Sequence, residues 1–212
     1  MRWPFGTKTD DVQASAIEPD WSEPVARQSP GMRAVFERLR EEDRYRVLDL
    51  GPAVGANFEI FAGFAHHIRI VDLLGEGSPA HELADLEDEQ LERAVRRLLP
   101  EDWGQYDIVF VWDLLNYLGE AQARAFVERL ATMCSEDASV FLMVVTAEAM
   151  AERPLQYRIL DQGTLECRAL SPHSIRSPGW PPSTIERMFR GCRIERSFVL
   201  RHGVQEYVVI KE

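Results

Sequence analysis

The feature that most constrains the fold is a short apolar run, YRVLDLG (45–51), which ends in Asp-Leu-Gly and leads into small residues. Such a compact run of Val and Leu is typical of a strand buried in a parallel sheet. A helical repeat of apolar residues follows it, and IRIVD (68–72) is a second apolar run. The repeat consists of Phe58, Phe61, Ala62 and Ala65. The order strand, glycine-containing turn, helix, strand predicts a βαβ unit and an α/β fold.

Helical and strand patterns continue to alternate along the chain. Helices are predicted over 84–99 and 126–134, and strands over 106–113 and 138–145. An apolar stripe before the first strand predicts one more helix, so regular structure is expected from Gly31 onward. The members of this stripe are Met32, Val35, Phe36 and Leu39.

The first 30 residues show no such periodicity. They hold four prolines, together with Trp3, Phe5 and Trp21 in an otherwise polar stretch. Aromatic residues in such a setting favour docking over free disorder. We therefore predict an N-terminal arm or cap over 1–30 and a single domain over 31–212, a length that suits one domain.

The end of the chain changes character. Its last 20 residues contain two β runs joined at His202-Gly203. Two such runs around a tight turn predict an antiparallel hairpin. A hairpin at the end of an otherwise parallel α/β chain is an informative departure from a plain nucleotide-binding domain.

Composition excludes several classes of protein. The net charge of -11 argues against a nucleic-acid partner, because such binding depends on concentrated Lys and Arg. No apolar run is long enough to span a bilayer, and the N-terminus lacks the apolar core of a secretory signal, so a cytoplasmic protein is expected. The three cysteines, Cys134, Cys167 and Cys192, form no CxxC pair, and the histidines show no metal-ligand spacing, so no metal is expected.

The turn after the first strand carries the chemistry. Residues without bulky side chains let the backbone approach a ligand closely, and the helix that follows offers free N–H groups to a carboxylate. The alternative is a tight strand-to-helix turn that binds nothing.

The stretch VLDLGPAVGAN (47–57) resembles the first motif of class I S-adenosylmethionine-dependent methyltransferases, D/E-x-G-x-G-x-G, with alanine in place of the middle glycine. The resemblance implies that S-adenosyl-L-methionine is the cofactor and that it is bound by Asp49, Gly51, Ala53, Gly55 and Asn57. Asp49 is expected to organise the turn and to attract the ammonium group of the cofactor.

Asp72 closes the second β run, 23 positions after Asp49. Nucleotide-binding α/β domains place a carboxylate there for the ribose hydroxyls. A solvated aspartate at a strand end is the alternative. Binding of a nicotinamide dinucleotide would use the same geometry, but its glycines are replaced by Ala53 and Ala56. The terminal hairpin also favours the methyltransferase fold, a Rossmann-like, doubly wound sheet of seven mostly parallel strands.

The segment YDIVFVWDLLNYLG (106–119) is similar to the fourth strand and following loop of these enzymes. The resemblance places Asp113, Asn116 and Tyr117 near the methyl group and the acceptor. Asp113 is the candidate general base and a further cofactor contact, and Tyr117 is expected to shape the acceptor site. Capping of the loop is an equally good role for Asp113.

The Pro-rich segment SPHSIRSPGWPP (171–182) lies where methyltransferases carry a substrate lid. His173 and Trp180 are therefore candidate acceptor-binding residues. For Trp180, anchoring of the loop on the core is the commoner outcome.

The sequence also departs from the family pattern. It has no N/D-P-P-Y tetrad and no clear third strand that ends in a carboxylate, so Asp85 is only one candidate for the adenine contact. The predicted function is transfer of a methyl group to a small molecule. The alternative is a non-catalytic relative that serves a protein partner as a scaffold or regulator.

Overall fold

The computed structural model describes residues 23–75, 83 and 86–212. Trp3, Phe5, Trp21 and Asp85 lie outside the described residues, and so does most of the predicted arm. The described strands are β1 (Val25–Gln28), β2 (Tyr45–Asp49), β3 (Ala65–Ile70), β4 (Tyr106–Trp112), β5 (Cys134–Val145), β6 (Ala149–Ala151), β7 (Gln156–Asp161), β8 (Thr164–Arg168), β9 (Ser174–Arg176), β10 (Cys192–Leu200) and β11 (Val204–Lys211). The described α-helices are α1 (Pro30–Phe36), α2 (Gly55–Ala62), α3 (Asp88–Leu98), α4 (Glu120–Thr132) and α5 (Pro182–Met188).

The central sheet has the order β10-β11-β5-β4-β2-β3. Strands β2, β3, β4 and β5 run parallel, whereas β11 is antiparallel to both β5 and β10. The α/β class, the βαβ unit and the terminal hairpin are thereby confirmed. The described sheet has six strands rather than seven, and the described residues between β3 and β4 contain no strand. This agrees with the sequence, because ELADLEDEQ (82–90) is too charged to form a buried strand.

Helices cover both faces of the central sheet, as buried parallel strands require. On one face lie α3, α4 and α5, and α3 buries the residues of its predicted stripe, Leu91, Ala94, Val95 and Leu98. The other face is covered by α1 and α2. Helix α2 ends earlier than predicted, at Ala62, and Ala65 begins β3. Within α2, Phe58 of the predicted apolar repeat is 51% exposed. In the described part of the chain, no helix combines the length and the apolar character needed to cross a membrane.

The chain between β5 and α5 contains structure that the sequence patterns did not predict. Strands β1, β8 and β7 form a three-stranded antiparallel sheet, which we call the cap sheet, and β6 pairs with β9. Among the described residues, regular structure therefore begins at Val25 and not at Gly31. The four-residue stretch VARQ has no periodicity of its own and becomes a strand only by pairing with β8. The part of the predicted arm that is described is thus bound to the domain, and the division of the chain at residue 30 stays a prediction.

The cap sheet packs on the same face as α1 and α2. Its apolar residues Tyr157, Ile159 and Leu165 are buried in one cluster with Phe61 of α2 and Trp112 of β4. This packing brings β7 against the carboxyl ends of the parallel strands, which is the edge where open α/β sheets bind ligands.

Candidate active site

Asp49 is the last residue of β2, and its carboxylate is bound from within the protein. The indole Nε1–H of Trp112 donates to Asp49 Oδ1 at 2.6 Å, and the backbone N–H of Gly51 donates to the same oxygen at 3.1 Å. Asp49 is 1% exposed, and burial raises the pKa of its carboxyl to about 6 against the effect of these two hydrogen bonds. The predicted organising role of Asp49 in the turn thus has a geometric basis in its bond to Gly51.

Trp112 ends β4 beside Asp49 and fills the space that Gly51 leaves. A Cβ atom added at Gly51 would lie 2.6 Å from Trp112 Cδ1, so only glycine fits beneath the indole. The backbone of Trp112 has φ of +56°, which is strained for a residue with a large side chain. Its ring stacks on that of Tyr157 with centroids 5.0 Å apart and an interplanar angle of 5°.

Asn57 lies in the first turn of α2 and binds the main chain of β7. Its Nδ2 donates to the carbonyl oxygen of Tyr157 at 2.8 Å, and its Oδ1 accepts from the N–H of Ile159 at 2.8 Å. Both functional atoms of the buried amide are therefore directed to the cap sheet. Its predicted contact with a cofactor stays a prediction, and the structure gives Asn57 a second role as an anchor of β7.

Asp113 follows β4 directly and is buried. Its Oδ2 accepts from the N–H of Leu155 at 3.1 Å, and the hydroxyl of Tyr157 donates to the same carboxylate. Burial outweighs these bonds and raises the pKa of Asp113 to about 7. A carboxyl with a pKa near neutrality is suited to accept and return a proton. The two interpretations of Asp113, as a base and as a structural cap, are thus both compatible with its position.

Asn116 and Tyr117 lie in the 3-10 turn after β4. Asn116 Nδ2 donates to the carbonyl oxygens of Asp113 at 2.7 Å and Met143 at 3.0 Å, and its Oδ1 accepts from Val145 N–H at 2.9 Å. Asn116 therefore ties the turn to β5. The hydroxyl of Tyr117 donates to the carbonyl oxygen of Ala151 at 3.1 Å, and burial raises the pKa of this phenol.

The start of α2 and the end of β3 remain open. Ala53 and Gly55 are exposed, and a Cβ atom added at Gly55 would meet nothing within 4 Å. No side chain caps the first turn of α2, and the N–H of Asn57 donates to the Val54 carbonyl oxygen at 3.0 Å, so the N–H groups of Gly55 and Ala56 are left for another acceptor. Asp72 is exposed beyond β3, and within the described residues its carboxylate accepts one long hydrogen bond, 3.3 Å, from Leu74 N–H.

The predicted lid residues do not join this cluster. The His173 side chain is exposed, and its backbone carbonyl accepts from Glu152 N–H. The indole of Trp180 donates to the carbonyl oxygen of Leu115 at 3.3 Å and packs on the core. Trp180 thus anchors its loop, the commoner of the two roles considered for it. Whether either residue meets an acceptor stays a prediction.

Two cavities adjoin the turn after β4. A groove of about 540 Å³ is bordered by Asn116, Tyr117, Met150, Arg153 and Arg176, among others. Deeper in the protein, a cavity of about 50 Å³ is lined by apolar residues and by four titratable ones. These four are Asp113, Tyr117, Tyr157 and His202.

Sequence reasoning missed three residues of this region. Trp112 was hidden inside a strand pattern, Tyr157 lies in a segment without a recognised motif, and His202 was identified only as part of a turn. Burial lowers the pKa of His202, with a smaller effect from Arg27. The positive φ of Trp112 is a structural signal, and nothing in the sequence alone indicates it.

Comparison with known proteins identifies the fold and the family of the chain. A glycopeptide N-methyltransferase, MtfA, crystallised with S-adenosyl-L-homocysteine, aligns over 99% of this chain and 100% of its own, with 14% identity and a TM-score of 0.50. CalS10, an amino pentose methyltransferase from Micromonospora echinaspora solved with S-adenosylmethionine, has 17% identity, coverage of 85% and 87%, and a TM-score of 0.48. Magnesium protoporphyrin IX methyltransferase from Synechocystis, also with S-adenosylmethionine, has 13% identity, coverage of 85% and 74%, and a TM-score of 0.48. No curated protein matches the sequence.

The fold is that of class I S-adenosylmethionine-dependent methyltransferases. A family model described as a methyltransferase domain matches residues 24–191, most of the chain, and the chain belongs to this family. The cofactor that the resemblance implied is S-adenosylmethionine, and MtfA was crystallised with S-adenosyl-L-homocysteine, the product that this cofactor leaves after methyl transfer. None of the comparisons points to a non-catalytic scaffold.

The residues fit this cofactor at one end of the site better than at the other. The exposed carboxylate of Asp72 suits a ribose diol, and the uncapped start of α2 suits the carboxylate of the methionine group. By contrast, Asp49 and Asn57 already have partners within the chain, and so does Asp113. The fit is therefore divided: the ribose and the carboxylate of the methionine group have open partners, whereas Trp112 lies at Asp49, the residue expected to attract the ammonium group.

Proposed function

We propose that this protein transfers a methyl group from S-adenosylmethionine to a small molecule that binds in the 540 Å³ groove. The observation that carries the proposal is the groove itself. Its volume falls within the range of small-molecule sites, roughly 300–1,000 Å³. It borders Asn116 and Tyr117, which follow β4 where the resemblance places the acceptor.

Asp72 and the first turn of α2 are the residues that would hold the cofactor. The carboxylate of Asp72 would accept hydrogen bonds from the two vicinal hydroxyls of the ribose, and the N–H groups of Gly55 and Ala56 would donate to the carboxylate of the methionine group. When bound, S-adenosylmethionine supplies an electrophilic methyl group on a sulfonium. Alignment of a nucleophile with such a group is worth about 7–11 kcal/mol of the barrier.

Asp113 is the proposed general base, for acceptors that lose a proton. Its pKa of about 7 leaves part of the population ionised at neutral pH. Tyr117, fixed through Ala151, lies in the wall between the groove and the small cavity that Asp113 lines. The acceptor would have to extend past Tyr117 into this cavity for its proton to pass to the Asp113 carboxylate.

Two measurements test the proposal. The first is calorimetric titration with S-adenosylmethionine and S-adenosylhomocysteine, in the wild type, Asp72→Ala and the exposed control Asp102→Ala. Binding is expected in the micromolar range, weakened about tenfold or more by Asp72→Ala because two hydrogen bonds are lost. The control variant should bind as the wild type does. Absence of heat from folded protein at millimolar ligand would refute the cofactor site.

The second measurement concerns the acceptor. The protein is incubated with methyl-labelled S-adenosylmethionine and a cell extract, and the products are separated by size. Label is expected in the low-molecular-weight fraction and not in protein or nucleic acid. Label confined to macromolecules would contradict a small-molecule acceptor.

A further inference from the structure

We propose that the indole of Trp112 occupies the position at Asp49 that the ammonium group of the cofactor requires, so that the cofactor must displace this indole and the β7 strand behind it. The inference rests on the proposed function, because it concerns the methionine end of the same site. It makes Trp112 a built-in competitor and the cap sheet its support.

The carboxylate of Asp49 already has hydrogen-bond donors from the chain itself. The oxygen nearest the turn, Oδ1, already accepts two hydrogen bonds, from Trp112 Nε1–H and from the N–H of Gly51. Asp49 is 1% exposed and Trp112 is 2% exposed. While the indole stays where it is, Oδ1 is therefore occupied by donors of the chain itself.

The turn at Gly51 is shaped to take the indole. Glycine at position 51 lets a partner approach the backbone closely, and in this structure the partner is an aromatic ring of the chain itself. The distance of 2.6 Å between the added Cβ position and Trp112 Cδ1 shows that the ring uses the whole of the space. The motif therefore serves an internal ligand in this conformation.

Tyr157 of β7 supports the indole of Trp112 on one side. Tyr157 stacks flat on Trp112 and is itself held at both ends. Its carbonyl oxygen accepts from Asn57, and its hydroxyl donates to Asp113. The indole cannot leave Asp49 on this side without movement of Tyr157, so release of Trp112 and release of β7 are coupled.

Trp112 has a strained backbone conformation. Its φ of +56° is sparsely populated for a residue with a Cβ atom. Such strain persists only where surrounding contacts impose it, and here those contacts are the bond to Asp49 and the stack on Tyr157. Loss of both would let the residue return to a relaxed conformation, which favours a second state with the indole withdrawn.

The test compares binding of S-adenosylhomocysteine by calorimetry in the wild type and Trp112→Phe. Phenylalanine keeps an aromatic ring on Tyr157 and removes the N–H that competes for Asp49. The matched control is Trp103→Phe, the same substitution at a partly buried tryptophan that packs beneath Arg69, away from Asp49. Trp112→Phe is expected to bind about tenfold more tightly or better, since a hydrogen bond to a charged group no longer has to be broken. Trp103→Phe should leave the affinity unchanged.

Hydrogen exchange on the wild-type protein gives a second readout that needs no variant to fold. The amides of Leu155 and Ile159 are held by Asp113 and Asn57. If binding of S-adenosylhomocysteine requires release of β7, exchange at these two amides accelerates with ligand. A ligand that binds beside an intact cap would slow it.

The outcomes separate the two proposals. Tighter binding by Trp112→Phe with faster exchange supports displacement. Binding that is equal or weaker in Trp112→Phe, with slowed exchange and a loss in Asp72→Ala, overturns displacement and leaves the proposed function standing. No binding by any folded variant at millimolar ligand overturns both.

Discussion

Asn57 and Tyr157, 100 positions apart in the sequence, are joined by a hydrogen bond of 2.8 Å from the Asn57 side chain to the Tyr157 carbonyl oxygen. Together with the N–H of Ile159, this bond fixes β7 to the first turn of α2. The turn that defines the family motif is therefore also the attachment point of the cap sheet. Stability of the cap and access to the motif are consequently linked.

This attachment predicts a large effect of Asn57→Ala on stability. The substitution leaves the carbonyl of Tyr157 and the N–H of Ile159 buried without partners, and each unsatisfied group costs about 1–3 kcal/mol. The free energy of unfolding should fall by roughly 2–6 kcal/mol in denaturant titration. Gln105→Ala, at an exposed amide, is the control and should change it little. A loss in Asn57→Ala no larger than in the control would show that the attachment is unimportant.

The two glycines of the motif predict opposite effects of the same substitution. Gly51→Ala places a methyl group against Trp112 and should destabilise the fold by about 1–3 kcal/mol, as overpacking does. Gly55→Ala meets open space at a helical position, and should be neutral or stabilise by up to about 1 kcal/mol. Thermal unfolding of the two variants checks this difference. Equal destabilisation would mean that Trp112 does not fill the space at Gly51.

The sequence predicted those parts of the fold whose patterns are local. The apolar runs that became β2 and β4, the stripe of α3 and the turn at His202-Gly203 each carry their own periodicity or turn residues, and each was confirmed. The first strand of the cap sheet carries no such signal. β1 is a short strand whose partners in β8 lie 136 to 142 positions away, so a pattern confined to neighbouring residues could not reveal it.

In the candidate site, too, the residues that follow a local sequence pattern could be predicted, and those that depend on tertiary packing could not. Asp49 and Asp72 could be placed at strand ends because the runs before them identify the strands. The indole at Asp49 could not be foreseen, and neither could the partners of Asp113, which depend on how Leu155 and Tyr157 pack. Trp112 resembles a strand residue in sequence, and only the tertiary structure shows its ring turned onto Asp49.

Arg176 predicts the charge of the acceptor. It lies exposed at the edge of the groove, and among the described residues it forms no ion pair. Arginine recognises carboxylates and phosphates with paired hydrogen bonds, so we expect an acidic small molecule. Once an acceptor is identified, Arg176→Gln should raise its KM about tenfold with little change in kcat. Arg168→Gln, at an exposed strand end outside the groove, is the control. A neutral or cationic acceptor would contradict the prediction.

Asp113 predicts a pH dependence of stability. Its pKa rises from the ordinary 3.8 to about 7 in the folded protein, so between these values the folded state binds more protons than the unfolded state. Stability from this group is therefore fully present below about pH 4 and is lost as the pH rises toward 7. Asp113→Asn cannot titrate, so it should lack this loss, which amounts to at most about 1.4 kcal/mol per pH unit.

The measurement is denaturant unfolding of the wild type and Asp113→Asn at several pH values from 4 to 8. The difference between the two proteins isolates Asp113, because Asp49, whose pKa is also raised, titrates in both. The wild type should lose stability relative to the variant across this window, and the difference should level off above pH 7. A constant difference would mean that Asp113 titrates as an ordinary carboxyl, and it could then not serve as a base tuned to neutral pH. A difference that slopes from about pH 4 and levels off near pH 7 would tie the burial of Asp113 beneath Leu155 and Tyr157 to the proton-accepting role proposed for it.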